Sequence, residues 1–287
     1  MSQSPANRSP QTQQSSITQH ASGSVPLCPV CERSAEHASA VLRHEHWTLL
    51  ACPLCEVIYL DSPPSHAELA GDNRWSVSFE VERESRRKKR PFLSAISRVL
   101  RPIIQSVRPK KATNLLRDLL PSGGTVVDVG CGDGARLDGL PPSFTPVGIE
   151  IDPVAAVVAG KKFGARGGRV LVGSATEQLA ALPPHSLDAA LLMAYLEHET
   201  RPIESLKLLR AALKPDAPVI IKVPNHDSWN RIVRGAQWCG YRFPDHVMYF
   251  SPSSLMRTLR HAGFRIARFG TLDRLPTSDN MWLVARA

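Results

Sequence analysis

Four cysteines near the amino terminus have the spacing of a metal-binding pattern. Cys28 and Cys31 form one C-x-x-C pair, and Cys52 and Cys55 form a second pair after an interval of twenty residues. Two residues between cysteines let both thiolates of a turn reach one ion, and two such turns complete a tetrahedral shell around zinc. Four thiolates leave no open position for a substrate. The spacing therefore predicts a structural zinc site, with redox-active dithiols as the alternative.

A second candidate site is the stretch T-V-V-D-V-G-C-G-D-G, residues 125–134, where a strand-forming run leads into three glycines at alternating positions. Such a turn lets a dinucleotide, a phosphate or S-adenosylmethionine approach the backbone closely. Asp128 precedes the first glycine, Gly130, and no P-loop lysine follows. Glu150 stands twenty residues after Gly130, where a carboxylate can accept both hydroxyls of a ribose. These residues alone fit NAD as well as S-adenosylmethionine.

The elements that must position these residues alternate between strand and helix from residue 113 onward. Strands are predicted over residues 125–130, 146–152, 168–175, 186–195 and 217–225, helices over 114–120, 153–164 and 251–263, and a closing antiparallel pair over 264–270 and 280–287. Strands separated by helices indicate an α/β fold with a parallel sheet buried on both faces. Ligands of such sheets bind at the carboxyl ends of the strands, where the candidate residues lie.

Composition indicates how large a core the chain can form and what its amino-terminal residues do. The chain has 287 residues, of which 43% are apolar, enough for one sizeable core with a small appendage. Residues 1–24 are rich in Ser, Gln and Pro and lack the features of a signal peptide, so we expect a disordered tail and a cytoplasmic protein. No apolar run approaches the roughly 18 residues of a membrane span.

Positive charge is concentrated in one segment, residues 83–111, which holds eleven Lys or Arg and one acid, whereas the whole chain has a net charge of +9. Apolar residues recur there at helical spacing and predict a basic amphipathic helix over 86–107. Such a helix can contact an anionic membrane or the phosphates of a nucleic acid. The interpretation we favour is a linker helix whose apolar stripe packs on the catalytic domain.

The order of the motifs after residue 113 settles the choice of cofactor. G-S-A-T-E-Q-L ends the third strand, L-L-M-A-Y-L-E-H-E ends the fourth, and D-H-V-M-Y-F-S-P-S-S-L-M-R-T-L-R-H-A-G-F follows the fifth. Together with D-V-G-C-G-D-G, this succession resembles the class I S-adenosylmethionine-dependent methyltransferases, in particular the quinone and natural-product subgroup. The resemblance covers residues 113–287 and implies a Rossmann-like, doubly wound, seven-stranded sheet.

The resemblance also implies roles for the residues at the strand ends. Gly130 and Gly132 would pass close to the methionine part of the cofactor, which Asp128 helps to position, and Glu150 would hold the ribose. Ser174 and Ala175 would flank the adenine, although Ser174 replaces the Asp usual in the family. Met193 would begin the segment over the sulfonium.

Residues on the acceptor side are candidates for proton transfer. Tyr195, Glu197 and His198 follow the fourth strand, and a helix there would put Tyr195 and His198 on one face. His198 could remove a proton from the acceptor and Tyr195 could orient it, with Glu197 as the partner of the imidazole. His246 is a second candidate base. The Y-x-E-H arrangement with a four-cysteine module is similar to that of sugar C-methyltransferases; the alternative is that this segment only lines the cofactor pocket.

We therefore expect four regions: a tail (1–24), a zinc-ribbon-like module (25–62), a basic helical linker (63–112) and a methyltransferase domain (113–287). The function predicted is O- or C-methylation of a small molecule such as a sugar, polyketide or quinol-like metabolite. An RNA methyltransferase that binds RNA through the module and linker is the alternative, and a peripheral membrane enzyme is a third. The sequence does not address the oligomeric state.

Overall fold

The computed structural model describes residues 27–34, 37–64 and 111–287. The predicted tail and most of the predicted basic linker, including the helix over 86–107, lie outside these residues. Within them, no helix combines the length and the apolar character needed to cross a bilayer.

The described residues form two sheets and the helices that cover the larger one. The strands are β1 Ser39–His44, β2 Trp47–Ala51, β3 Ile58–Leu60, β4 Gly124–Val129, β5 Phe144–Glu150, β6 Arg169–Val172, β7 Ala189–Met193, β8 Pro218–Pro224, β9 Met248–Tyr249, β10 Arg265–Arg268 and β11 Asn280–Arg286. The α-helices are α1 Lys111–Leu119, α2 Pro153–Gly164, α3 Ala175–Ala180, α4 Pro202–Ala212, α5 Trp229–Arg234 and α6 Pro252–His261.

The larger sheet has seven strands in the order β10-β11-β8-β7-β4-β5-β6. Strands β8, β7, β4, β5 and β6 run parallel, and β11 pairs antiparallel with β8 and β10. The order of strands along the chain reverses between β4 and β7, which opens a crevice at their carboxyl ends. The predicted doubly wound, seven-stranded sheet is confirmed.

Local sequence explains where the helices begin. Asp152 caps α2 by accepting hydrogen bonds from two amides of its first turn, and Pro153 occupies the first helical position, where no amide is needed. Ser251 caps α6 by accepting from the amide of Ser254, and a proline again follows the cap. Strand β7 is buried at all five positions, as expected for a strand covered on both faces.

The strand predicted over residues 168–175 extends too far at its carboxyl end. Strand β6 ends at Val172, and Ser174 instead caps α3 through a capping box with Glu177. Ser-x-x-Glu is a helix-start signal, so the sequence did contain the correct boundary. Helices α3, α4 and α5 and strands β1, β2, β3 and β9 were not predicted.

The smaller sheet joins the amino-terminal residues to the larger domain. Its order is β1-β2-β3-β9, so residues 27–34 and 37–64, here called the cysteine module, share a sheet with a strand from residues 248–249. The amide of Leu60 also donates to Val247 O at 2.8 Å. Glu56 forms an ion pair with Arg257 on α6 at 3.0 Å. The module is therefore docked on the larger domain by main-chain hydrogen bonds.

Candidate active site

The glycine-rich loop follows β4 at the crevice and has the backbone geometry that its sequence predicts. Gly130 and Gly132 have φ values of +70° and +57°, which favour glycine. A Cβ on Gly132 would meet no atom within 4 Å, whereas one on Gly130 would lie 3.5 Å from the ring of Tyr195. The backbone at Gly132 is therefore open to a ligand.

Glu150 lies at the carboxyl end of β5, directly beside this loop. One carboxylate oxygen accepts from the amide of Gly132 at 2.7 Å, and the other accepts from the amide of Asp152 at 2.9 Å. A carboxylate offers about four lone-pair sites, so each oxygen keeps one for a further donor. The two amides fix the orientation of the carboxylate without using up its capacity to bind a diol.

Asp128 is fully buried near the carboxyl end of β4 and pairs with Arg136 from the loop. The Nη1 atom of Arg136 lies 2.9 and 2.8 Å from the two carboxylate oxygens. Burial raises the pKa of Asp128 to about 6, although Arg136 opposes the shift. The carboxylate thus depends on a neighbouring cation to stay charged.

The remaining residues predicted for the cofactor lie along the same edge of the sheet. Ser174 and Ala175 follow β6, and Met193 ends β7. The hydroxyl of Ser174 accepts from the amide of Glu177 at 3.3 Å as the cap of α3, and Ala175 is buried. All seven predicted cofactor residues therefore lie at or just beyond the carboxyl ends of β4 to β7.

Three of the four predicted catalytic side chains converge. Glu197, His198 and His246 present nitrogen and oxygen atoms that all lie within 4.8 Å of one another. Glu197 and His198 belong to a 3₁₀ turn after β7, whereas His246 lies just before β9, and the two imidazole rings meet edge to face at 4.7 Å between centroids. This group is here called the acceptor cluster.

Main-chain oxygens orient both imidazoles of the acceptor cluster. Nδ1 of His198 lies 2.7 Å from Asp245 O, and Nδ1 of His246 lies 2.8 Å from Gly240 O. A carbonyl can only accept, so each Nδ1 carries a proton and each neutral ring leaves Nε2 as an acceptor. Nδ1 of His198 is thus held by the backbone at Asp245, while Glu197, the partner expected from the sequence, contributes its carboxylate to the same cluster.

Burial keeps the acceptor cluster largely uncharged. It lowers the pKa of His198 to about 4 and the pKa of His246 well below its usual range. Burial also raises the pKa of Glu197 to about 7, against the opposing charges of Lys222 and Arg242. Within the part of the chain that the structure describes, one oxygen of Glu197 has no hydrogen-bond partner although the residue is only 1% exposed. Of the three groups, Glu197 is the one whose protonation changes near neutral pH.

Tyr195 does not join the acceptor cluster. Its hydroxyl bonds to the carboxylate of Glu199 and lies 2.8 Å from the hydroxyl of Ser205, while its ring borders Gly130. Tyr195 and His198 were expected to share one face of a helix; a single 3₁₀ turn follows Tyr195 instead, and the two side chains hydrogen-bond to different groups. Burial raises the pKa of the Tyr195 hydroxyl well above its usual range, so this group remains a donor.

Sequence reasoning missed three residues of the site. Arg136 neutralises Asp128, Lys222 on β8 faces Glu197, and Asp245 holds His198 through its carbonyl. Lys222 was detectable, because a lysine within the apolar run A-P-V-I-I-K-V-P-N needs a buried partner. Nothing in the sequence marks the carbonyl of Asp245.

The four cysteines of the module come together as their spacing predicts. Their sulfurs lie within 4.8 Å of one another, with 3.5 Å between Cys28 and Cys55 and 3.6 Å between Cys31 and Cys52. A tetrahedral ion with Zn–S bonds of about 2.3 Å requires sulfur separations of about 3.8 Å. A hydrogen bond from the Cys55 thiol lowers the pKa of Cys28 to about 5. The set is compatible with a zinc site.

The fold and the crevice together define the class of the protein. A seven-stranded sheet of order 3-2-1-4-5-7-6 in the larger domain carries a glycine-rich loop after its first strand and a carboxylate after its second. This is a class I S-adenosylmethionine-dependent methyltransferase. The chain belongs to the methyltransferase domain family, whose model matches residues 103–268.

Comparison with known proteins gives relatives of moderate similarity. The chain is 29% identical over 171 residues to a ubiquinone biosynthesis O-methyltransferase of Nitrosospira multiformis, covering 57% of this chain and 72% of that protein. It is 28% identical over 172 residues to the protein of the same name from Paraburkholderia phytofirmans, covering 57% and 74%. A solved structure of 1,6-didemethyltoxoflavin-N1-methyltransferase from Burkholderia thailandensis is 16% identical with a TM-score of 0.49, covering 87% of this chain and 99% of that one.

Proposed function

We propose that this methyltransferase acts on a small molecule and transfers the methyl group to an oxygen or an acidic carbon. The observation that carries the proposal is the acceptor cluster, a largely uncharged acid–base group of the buried Glu197 and His246 with the half-buried His198, at the end of β7 next to the cofactor loop. The relatives named as ubiquinone biosynthesis O-methyltransferases support an oxygen acceptor on a quinol-like molecule. Sugars and polyketides remain the other acceptor classes.

The cofactor would lie along the carboxyl ends of β4 to β7. The open backbone at Gly132 and the unused lone pairs of Glu150 fit the two hydroxyls of a ribose. Gly130 and Asp128 would lie at the methionine part, Met193 over the sulfonium, and Ser174 and Ala175 beside the adenine. S-adenosylmethionine supplies, when bound, an electrophilic methyl group on a sulfonium.

His198 would serve as the general base. Its Nδ1 proton is held by Asp245 O, so Nε2 is free to take the proton of an acceptor hydroxyl or acidic C–H. Removing that proton creates the nucleophile that methyl transfer needs. Glu197 would stabilise the imidazolium that forms, and His246 would hold the ring edge to face or replace it as base. Tyr195 would shape the boundary between cofactor and acceptor.

The cysteine module would bind one zinc ion through Cys28, Cys31, Cys52 and Cys55. Four thiolates close the coordination shell, so the ion would be structural. Its role would be to fold the module and thereby hold β3 against β9. Strand β9 begins two residues after His246. Cysteines arranged for metal binding are typical of a reducing compartment, which supports a cytoplasmic location.

Methyl transfer to a panel of acceptors tests the proposal. Purified protein would be incubated with S-adenosylmethionine and, separately, catechols, sugar nucleotides, polyketide fragments and RNA, with product detected by mass spectrometry. We expect turnover with a phenolic or C–H-acidic small molecule that His198→Ala abolishes. Transfer to RNA alone would favour the alternative in which residues 83–111 and the module bind RNA.

A further inference from the structure

The ion pair between Arg136 and Asp128 lies in the crevice where a ligand must bind. Strand order reverses between β4 and β7, and Arg136 reaches both sides of that point. Its Nη1 contacts both oxygens of Asp128 on β4, and its Nη2 lies 3.5 Å from the main-chain oxygen of Met193 on β7. The side chain of Arg136 is 32% exposed, whereas that of Asp128 is 0% exposed. The guanidinium thus covers a buried anion and can be reached from solvent.

The amino-acid end of S-adenosylmethionine carries charges that match this pair. Its α-ammonium is a cation that can replace a guanidinium beside a carboxylate and a carbonyl oxygen. Its α-carboxylate is an anion that pairs well with a guanidinium, because the planar fork offers two parallel donors. A ligand that displaces Arg136 from Asp128 therefore offers a new partner to both residues: its ammonium pairs with Asp128 and its carboxylate pairs with Arg136.

We propose that Arg136 exchanges partners when the cofactor binds. Without cofactor it neutralises Asp128; with cofactor, the α-ammonium takes its place beside Asp128 and Met193 O, and the released guanidinium binds the α-carboxylate. Arg136 lies in irregular turns between β4 and β5, so its side chain can move without disturbing a helix or strand. The exchange keeps the buried carboxylate paired in both states, which avoids the cost of an uncompensated buried charge. The proposal rests on the cofactor site described above and not on the identity of the acceptor.

Three ligands that share the adenosine part separate this role from a structural one. S-adenosylhomocysteine carries both the ammonium and the carboxylate, its decarboxylated analogue carries only the ammonium, and 5′-methylthioadenosine carries neither. Calorimetric affinities would be measured for wild type and Arg136→Gln. We expect the variant to bind S-adenosylhomocysteine about 10–100-fold more weakly, the usual range for a lost charged hydrogen bond. It should bind methylthioadenosine unchanged, and the decarboxylated analogue as tightly as wild type or tighter, because the ammonium no longer competes with Arg136.

Two further variants keep the test decisive. Lys162→Gln removes the same charge from an exposed ion pair with Asp133 on the same loop, and it should leave all three affinities unchanged. If Arg136→Gln is too unstable to measure, the double variant Asp128→Asn/Arg136→Gln removes both charges. It should weaken binding of S-adenosylhomocysteine and of the decarboxylated analogue but not of methylthioadenosine.

Equal weakening for all three ligands in Arg136→Gln would overturn the proposal, because a loop that has merely lost its shape does not distinguish them. Unchanged affinity for S-adenosylhomocysteine would overturn it as well. Failure of the wild type to bind any of the three ligands would reject the cofactor site itself, an outcome distinct from both.

Discussion

The cofactor half of the crevice is built from one continuous stretch of chain, residues 124–193, whereas the acceptor half draws on segments far apart in sequence. Each residue predicted to bind the cofactor lies at or just beyond the carboxyl end of a strand. The acceptor cluster combines a turn after β7 with His246, whose neighbouring strand β9 pairs with β3 of the cysteine module. The two halves should therefore respond differently to damage at a distance.

The contrast shows how one fold can keep a fixed cofactor site beside a changeable acceptor site. In the cofactor half, the main-chain amides of Gly132 in the loop and of Asp152 after β5 hold the carboxylate of Glu150. In the acceptor half, carbonyls of residues 240–245 hold the imidazoles, and the amide of Val247 donates to Glu197 O at 2.8 Å. The geometry of the acceptor cluster consequently depends on the position of residues 240–247, the loop before β9.

Loss of the proposed zinc ion should have the largest effect and should separate the two halves. We expect Cys52→Ser to abolish binding of about one zinc ion and to unfold the module, because structural zinc contributes roughly 10–16 kcal/mol in zinc-finger peptides. Turnover should be lost while affinity for S-adenosylhomocysteine is kept. Elemental analysis, calorimetry and methyl-transfer assays give the three readouts. Cys239→Ser, outside the predicted set, is the control. Full turnover of Cys52→Ser without zinc would show that the acceptor cluster does not depend on the pairing of β3 with β9.

Removal of the proposed base should lower turnover without changing cofactor binding. We expect His198→Ala to reduce kcat by roughly 10²–10⁴, the usual range for general acid–base catalysis. Affinity for S-adenosylhomocysteine should be unchanged, because the lost interaction acts in the transition state. If instead the affinity falls and turnover at saturating cofactor survives, this turn only lines the cofactor pocket. The same measurements on His246→Ala would then test the second candidate.

A substitution in the cofactor half should instead weaken cofactor binding. We expect Glu150→Ala to weaken binding of S-adenosylhomocysteine by about 1.5–3 kcal/mol, because a charged hydrogen-bond acceptor for the ribose is lost. Glu204→Ala, which removes an exposed carboxylate from α4, is the matched control and should bind normally. Equal affinity in Glu150→Ala and wild type would remove Glu150 from the ribose site.

The pH dependence of turnover should report Glu197 rather than a histidine. Since the pKa of His198 is lowered to about 4, its imidazole is already neutral at pH 5 and higher. Glu197, with a pKa of about 7, faces Lys222 on β8, Arg242 in the loop before β9 and the two imidazoles. Turnover should rise with pH through about 7 as the carboxylate forms and stabilises the imidazolium. Glu197→Gln should flatten this rise; a rise that persists in the variant would assign it to another group.

The smallest effect is expected at the contact between the module and α6. Arg257→Ala removes an ion pair with Glu56 in which both side chains are about half exposed, so we expect a loss of only about 0.2–1 kcal/mol in unfolding free energy. Thermal unfolding at low and high salt measures it, with Arg201→Ala, from an ion pair within the larger domain, as the control. A large loss of turnover in Arg257→Ala alone would mean that this one contact, rather than strand pairing, seats the module.

Much of the cofactor half could be predicted because its signals are local. The strand run before Gly130, the Asp-Pro start of α2 and the acidic residue that ends β5 each reflect a preference of a few neighbouring residues. The error at Ser174 was also local, because its capping box was read as the end of a strand. Short strands such as β9, with two residues, carry no such pattern and become strands only by pairing.

The class of fold, the cofactor loop, the four-cysteine set and the candidate acids and bases could all be identified from short stretches of sequence. Hydrophobic periodicity, glycine spacing and thiolate spacing are all properties of a short stretch of chain. Which of these groups meet depends on contacts between segments that are far apart in sequence, so it became known from the folded chain. The tertiary structure excluded Tyr195 from the acceptor cluster, gave His198 a backbone partner at Asp245 and placed Arg136 against Asp128. It also set the pKa values of Glu197 and His198, because desolvation depends on what surrounds a group in space rather than in sequence.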